Sequence, residues 1–260
     1  MSPATAAGLL EQAKALMGHD GRSFSPRPGI DPAVAWSAHY HWAALEGLPG
    51  FSEVALSEDI GRAAQQLIRR DEPVRYYRDV VACRHPVGQG DNDEATPPHQ
   101  DYPARLFDRT GYINFWIALE DVPAEKGSMR FLSGAHAEGP LGWDNKEKGQ
   151  ETLDLAATYP WLEERYQWSP PLDMKAGDAT CHGLLTVHQA PANVTNEPRW
   201  SYIAMYIPDD TKYVGNPDVP QLRMGYPPHL DGLTDANGVA PGTTFDHPRF
   251  PVVWKGSRSG

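Results

Sequence analysis

From Pro73 onward the chain is built of short β-branched and aromatic runs, VRYYRDVVACRH, YINFWIALEDV, SMRFLSG, DATCHGLLTVH and WSYIAMYIP, each soon closed by glycine or proline. Proline has no N–H to give to a ladder and glycine weakens a strand interior, so these runs predict short strands and exclude a helical bundle. The 25 prolines and 24 glycines gather in the connections, notably 86–98, 138–149 and about the last 45 residues, where no regular strand is expected. Connections of that length in a compact fold commonly serve as lids or binding loops.

The first third follows a different grammar. Ser2-Pro3 is a helix start before Leu9, Leu10, Ala13, Leu16 and Met17, and Gly18 ends that run. Asp31-Pro32 repeats the signal before Val34, Trp36, Tyr40 and Ala44, and Ser57 opens a third helix through Ile60, Ala64, Leu67 and Ile68. A short helix is expected near Pro160, between two strands. No repeat, low-complexity tract or linker divides the chain. It reads as one domain over 1–260: a mainly helical support at 1–72, a β core with the site at 73–208 and a loop-rich tail at 209–260. The fold class is mainly β with flanking helices.

Composition narrows function. With 34 acidic against 23 basic side chains the net charge is −11, which argues against nucleic acid as a partner and favours a small-molecule substrate. No window is apolar enough for a membrane span, and the start lacks the basic-then-apolar order of a secretory signal, so a cytoplasmic protein, monomer or homodimer, is expected. Cys83 and Cys181 are too far apart in sequence to suggest a disulfide framework or a thiolate zinc site.

His99-Gln100-Asp101 places an imidazole and a carboxylate on one side of a strand or strand end, because side chains alternate with period 2. With a distant histidine they form the two-histidine, one-carboxylate triad that holds Fe(II) on one face and leaves three positions open. The triplet alone is weak: ten histidines and 20 aspartates in 260 residues give about one by chance, and a second stands at His229-Leu230-Asp231. That second triplet lies in the Pro/Gly-rich tail with no strand after it. The first has a richer sequel. Gly177-Asp178 makes a turn, DATCHGLLTVH reads as one strand running to His188, and Arg199 follows eleven residues later beside WSYIAMYIP. His182 shares the parity of His188 on that run, but only His188 stands at the distance from Arg199 that a short return loop can close. His182 reads as a structural histidine or one behind the ligands, and His136, after its Gly turn, as structural. A buried guanidinium needs an anion, and its planar fork matches a carboxylate. Iron beside a carboxylate clamp describes a site for 2-oxoglutarate.

The residues HQD at 99–101, WIALEDVPAEKGSMRFLSGAH at 116–136 and GD-x9-H-x10-R at 177–199 resemble the phytanoyl-CoA dioxygenase-like family of Fe(II)/2-oxoglutarate oxygenases over most of 74–208. The resemblance implies a double-stranded β-helix, the jelly-roll or cupin-like barrel with the metal in its mouth. It implies His99, Asp101 and His188 as iron ligands and catalytic centre, Arg199 on the distal carboxylate of 2-oxoglutarate, and Trp116, Gln100 and Arg84 near that co-substrate. The usual P-G-S-H of the family is here Ser133-Gly134-Ala135-His136, and Ala190 stands where a small polar residue is usual. Asp101 fills a position that is Ala or Gly in related halogenases, which implies oxidation rather than halogenation.

By the same resemblance Fe(II), 2-oxoglutarate and O2 act together on an unactivated C–H bond, releasing succinate and CO2. The chain is similar to tailoring oxygenases of anthracycline-type pathways such as nogalamycin assembly, which implies a polycyclic or glycosylated metabolite that is hydroxylated, cyclised or epimerised. Tyr102, Phe107 and Trp143 are the aromatic candidates for substrate contact. Two other classes compete: a zinc hydrolase using the same triad, and a non-catalytic jelly-roll binding module.

Overall fold

The computed structural model describes residues 1–22, 38–41, 43–46, 48–90, 92–102, 107–141, 154–214 and 239–256. Helix α1 (Pro3–Met17) starts where Ser2 Oγ accepts the Thr5 N–H at 3.0 Å, and it buries Ala6, Leu9, Ala13 and Met17 as one stripe. Helix α3 (Glu58–Ile68) begins the same way, with Ser57 Oγ accepting from Ile60 at 3.3 Å. Between them lies α2 (Pro49–Ala55), which the sequence reading did not anticipate. Of the helix expected from Asp31-Pro32 through Ala44, the described part holds a strand, β1 (His39–His41), with Ala44 in a turn. Its Val34 and Trp36 fall outside the described residues. The physical reason is that β1 satisfies an edge of β2 (Val74–Arg84), with Tyr40 opposite Val81.

The strands form two antiparallel sheets, the double-stranded β-helix that the resemblance implies. The larger runs β1-β2-β9-β4-β7, where β4 is Ile113–Ala118, β7 Ala179–Gly183 and β9 Arg199–Pro208. The smaller runs β3-β8-β5-β6, from Thr96–His99, His188–Ala190, Arg130–Ser133 and Gln167–Trp168. Two short helices, α4 (Leu155–Thr158) and α5 (Trp161–Arg165), precede β6; α5 starts just after Pro160, where one helix was expected, and α4 is additional. A final strand, β10 (Val252–Trp254), also joins β2. Strand formation was not expected in the tail. Phe245 and Phe250 explain it, because both are fully buried against Tyr77 of β2 and carry the last strand back to the sheet.

Alternation divides the large sheet into two faces. Phe115, Ile117, Tyr202, Ala204 and Tyr206 join Leu9, Met17, Phe51 and Ala64 in one core cluster, so the outer face carries the helical layer. Tyr206 donates its hydroxyl to the Ala55 carbonyl at 2.9 Å across that layer. Trp116 and Ala118 point the other way and pack with Met129, Met174, Ala190 and Phe131, so the inner face meets the small sheet. The expected single strand over 178–188 is two strands in different sheets. Gly183 ends β7, Thr186 N–H turns back to its carbonyl at 3.1 Å, and the buried Leu184 carries the chain across to β8. No helix among the described residues is long and apolar enough to cross a membrane.

Candidate metal centre

His99 ends β3 and His188 opens β8, and the two are register partners. Opposite residues on paired strands project to the same side about 5 Å apart, and here the imidazole centroids are 4.2 Å apart. Asp101, two residues past His99, returns to that side. One ligand atom from each of the three lies within 4.8 Å of the others. Both histidines are oriented through Nδ1, which donates to Pro97 O at 2.8 Å in His99 and to Thr186 O at 2.9 Å in His188. A carbonyl only accepts, so the proton sits on Nδ1 and Nε2 carries the lone pair a metal needs. Burial, with His182 and His99 beside it, holds the His188 pKa well below the ordinary histidine range, and its ring is neutral.

The inner face of the large sheet is lined with unanswered polar atoms. Arg84 Nε, Arg199 Nε, Ser201 Oγ, Thr180 Oγ1, Asn114 Oδ1 and both ring nitrogens of His182 are buried without a hydrogen-bond partner. Register places them together: Arg84 faces Arg199, Trp116 faces Thr180, and Asn114 faces His182. A buried polar group left unpaired is unfavourable by about 1–3 kcal/mol, so six such residues on one wall mark where a polar ligand sits. Arg199 is only 3% exposed, its guanidinium lies 5.2 Å over the Trp116 ring, and Nη1 donates to Gly127 O. Arg84 is held by Glu94 O and by Thr96 Oγ1, the latter at 2.6 Å. Among the described residues neither arginine has an ion-pair partner. Burial, then the neighbouring Arg84 charge, pushes Arg199 down to about 9. It is still a cation at neutral pH. A carboxylate bound between these arginines would relieve both effects, and the N, N, O donor set carried by the small sheet, which packs on this face, fits ferrous iron.

The other expected residues are placed as follows. Trp116 forms the floor under Arg199. Gln100 bridges two loops, donating to Gly139 O at 3.0 Å and Leu185 O at 2.8 Å and accepting from Leu141 N at 2.7 Å. Both of its N–H donors thus serve the backbone beside the ligands. Tyr102 is half-buried, with its N–H on Leu184 O. Phe107 is enclosed by Tyr77, Tyr112 and Phe245 and packs the C-terminal segment. Trp143, His229 and Asp231 lie outside the described residues, and His136 sits in a short 3-10 turn after Gly134. Sequence reasoning missed Tyr112 and Asn114, which stand with His182 around Asp101. The signal was their period-2 spacing with Trp116.

A model of the phytanoyl-CoA dioxygenase family matches residues 2–201. A methylphosphonate hydroxylase of Gimesia maris is 29% identical over 135 residues, which is 52% of this chain and 46% of that protein; the match thus spans less than half of that relative's length. The crystal structure of SnoN, an epimerase, in complex with Fe3+, alpha ketoglutarate and nogalamycin RO is similar over 97% of this chain and 91% of that one, at 28% identity and TM-score 0.71. The carbocyclase SnoK from nogalamycin biosynthesis shares the fold, at 22% identity and TM-score 0.68 over 96% of this chain and 88% of that one. The family match alone covers well over half of the sequence, and with the metal-binding geometry beneath it the chain belongs to the phytanoyl-CoA dioxygenase family of iron- and 2-oxoglutarate-dependent oxygenases.

Proposed function

We propose that this protein oxidises a C–H bond of a bulky, polycyclic or glycosylated metabolite, using iron held by His99, Asp101 and His188 and 2-oxoglutarate held by Arg199. One observation carries the reading: a cross-strand histidine pair with its carboxylate, on the small sheet, faces the inner wall of the large sheet, where the buried Arg199 has no ion-pair partner among the described residues. Iron in such a site supplies activation of O2, with 2-oxoglutarate as the reductant that leaves as succinate and CO2.

The chain's own residues supply position. His99 and His188, locked through Nδ1, hold their lone pairs on one side. Arg199 sets the reach of the dicarboxylate along the sheet, and Trp116 fixes the plane of that guanidinium. Arg84 adds a second positive charge at the same end. The apolar residues Phe131, Met129 and Met174 keep water from that wall. A zinc hydrolase leaves the two buried arginines without a task, and a binding module has no use for the triad.

The similarity to SnoN over nearly the whole chain supports a polycyclic glycoside and epimerisation or a related outcome as the reaction. The methylphosphonate hydroxylase relative supports a second reading, a small anionic substrate. One assay separates them: succinate release under Fe(II), 2-oxoglutarate and O2, measured with anthracycline-type glycosides and, in parallel, with methylphosphonate. Stimulation by the glycosides alone is expected. Stimulation by methylphosphonate alone overturns the substrate class, and no succinate with iron and 2-oxoglutarate under any substrate counts against the oxygenase reading itself.

A further inference from the structure

Asp101 is approached by three side chains on a single oxygen. Tyr112 donates its hydroxyl to Oδ2 at 3.4 Å, Asn114 donates through Nδ2 to the same atom at 3.4 Å, and Nε2 of His182 stands 3.6 Å from it. The backbone explains this convergence. Tyr112 and Asn114 are two residues apart and so project to one side, and His182 is the register partner of Asn114 on β7. The His182 ring is wedged 4.1 Å from that of His188 and 5.7 Å from Phe131, and neither of its nitrogens has a hydrogen-bond partner. An imidazole kept buried in that condition opposes stability.

We propose that Tyr112, Asn114 and His182 are positioning residues that hold Oδ2 of Asp101 and so present its other oxygen, Oδ1, to the metal. The inference rests on the reading of His99, Asp101 and His188 as the ligands. Carboxylates grip metals through one oxygen or two. A two-oxygen grip would fill one of the three positions that a facial triad leaves open, and a chelating keto acid plus O2 requires all three. The two donors on Oδ2, from Tyr112 and Asn114, with the His182 ring standing against the same oxygen, favour the one-oxygen grip. Hydrogen-bond partners of metal ligands typically change metal affinity or activity 10–100-fold.

The test is calorimetric titration of metal-free protein with Co(II), a redox-stable stand-in, followed by 2-oxoglutarate. It compares wild type with Asp101→Ala, Tyr112→Phe, His182→Asn and His182→Gln. The glutamine amide nitrogen reaches the place of Nε2, whereas that of asparagine reaches only Nδ1. Tyr112→Phe and His182→Asn are expected to weaken Co(II) binding about 10-fold or more and to weaken 2-oxoglutarate binding to the Co(II) form, while His182→Gln stays near wild type. Tyr112→Phe removes one oxygen only, so it keeps the test valid should a His182 variant fail to fold. Wild-type affinity in both Tyr112→Phe and His182→Asn, with Asp101→Ala defective, overturns the positioning role and leaves the triad standing. Equal loss in the asparagine and glutamine variants removes His182 from the set. Undiminished binding by Asp101→Ala overturns the ligand reading and the inference with it.

Discussion

Arg199 is charged, buried and answered by a carbonyl where a carboxylate would fit. Truncating a buried, hydrogen-bonded member of a charge pair is unfavourable by about 2–5 kcal/mol, so Arg199→Ala is expected to raise the 2-oxoglutarate KM at least about 30-fold, with Co(II) affinity unchanged by calorimetry. Asp79 shows the opposite arrangement, a buried carboxylate on the outer face that accepts from Tyr202 at 2.6 Å and Ala44 N–H at 2.8 Å. Burial pushes it up to about 6. Its folded pKa lies above that of an unfolded aspartate, near 3.9, so the folded protein keeps the proton longer and the group favours folding most at low pH. That contribution declines as pH rises from about 4 through 6, by up to about 3 kcal/mol. Urea unfolding at pH 4 and pH 7 should show this decline in wild type and its loss in Asp79→Asn. The proposed ligands and Arg199 could be nominated from sequence because metal and anion chemistry restrict residue type and spacing. Tyr112 and Asn114 were not singled out, because their period-2 spacing says only that they share a face, and it takes the register that sets Asn114 opposite His182 to bring that face to Asp101.

Elements were legible where local physics and tertiary demand agree. α1 and α3 carry serine caps and apolar stripes, and both form as expected. β1 shows the reverse case: a helical spacing around Tyr40 yields to the unpaired edge of β2. The single strand expected over 178–188 divides at the turn that Thr186 N–H closes on Gly183 O, where the chain leaves one sheet for the other. The prolines of β3, Pro97 and Pro98, are tolerated because that strand lies at the edge of the small sheet. Close approach also decides Gly61, where an added Cβ would lie 2.9 Å from the Val253 carbonyl. Gly61→Ala is therefore expected to push α3 off β10 and lower stability by about 1–3 kcal/mol, despite alanine's better helix propensity. A rise in melting temperature would show that β10 yields instead.

Across the whole molecule, the helical layer and the small sheet bury opposite faces of one β-sheet, and the buried Arg84 and Arg199 are on the inner one. The composition indicated a β protein with a helical support, yet nothing in it showed which face would carry the site. A metal that binds only the folded chain stabilises it by about 2.7 kcal/mol at one hundred times its Kd. For a chain of 260 residues that corresponds to about 5–10 °C in melting temperature. Co(II) should produce this rise in wild type and none in Asp101→Ala, by calorimetric scanning. The pairing of His99 with His188 carries one more implication. A slip of a single position between β3 and β8 would turn Gln189 inward and send an imidazole to the far side. Such a misthreaded barrel would keep its overall shape and its peptide-bond spectrum yet be blind to transition metals, so cation uptake reports on the register of this one strand pair.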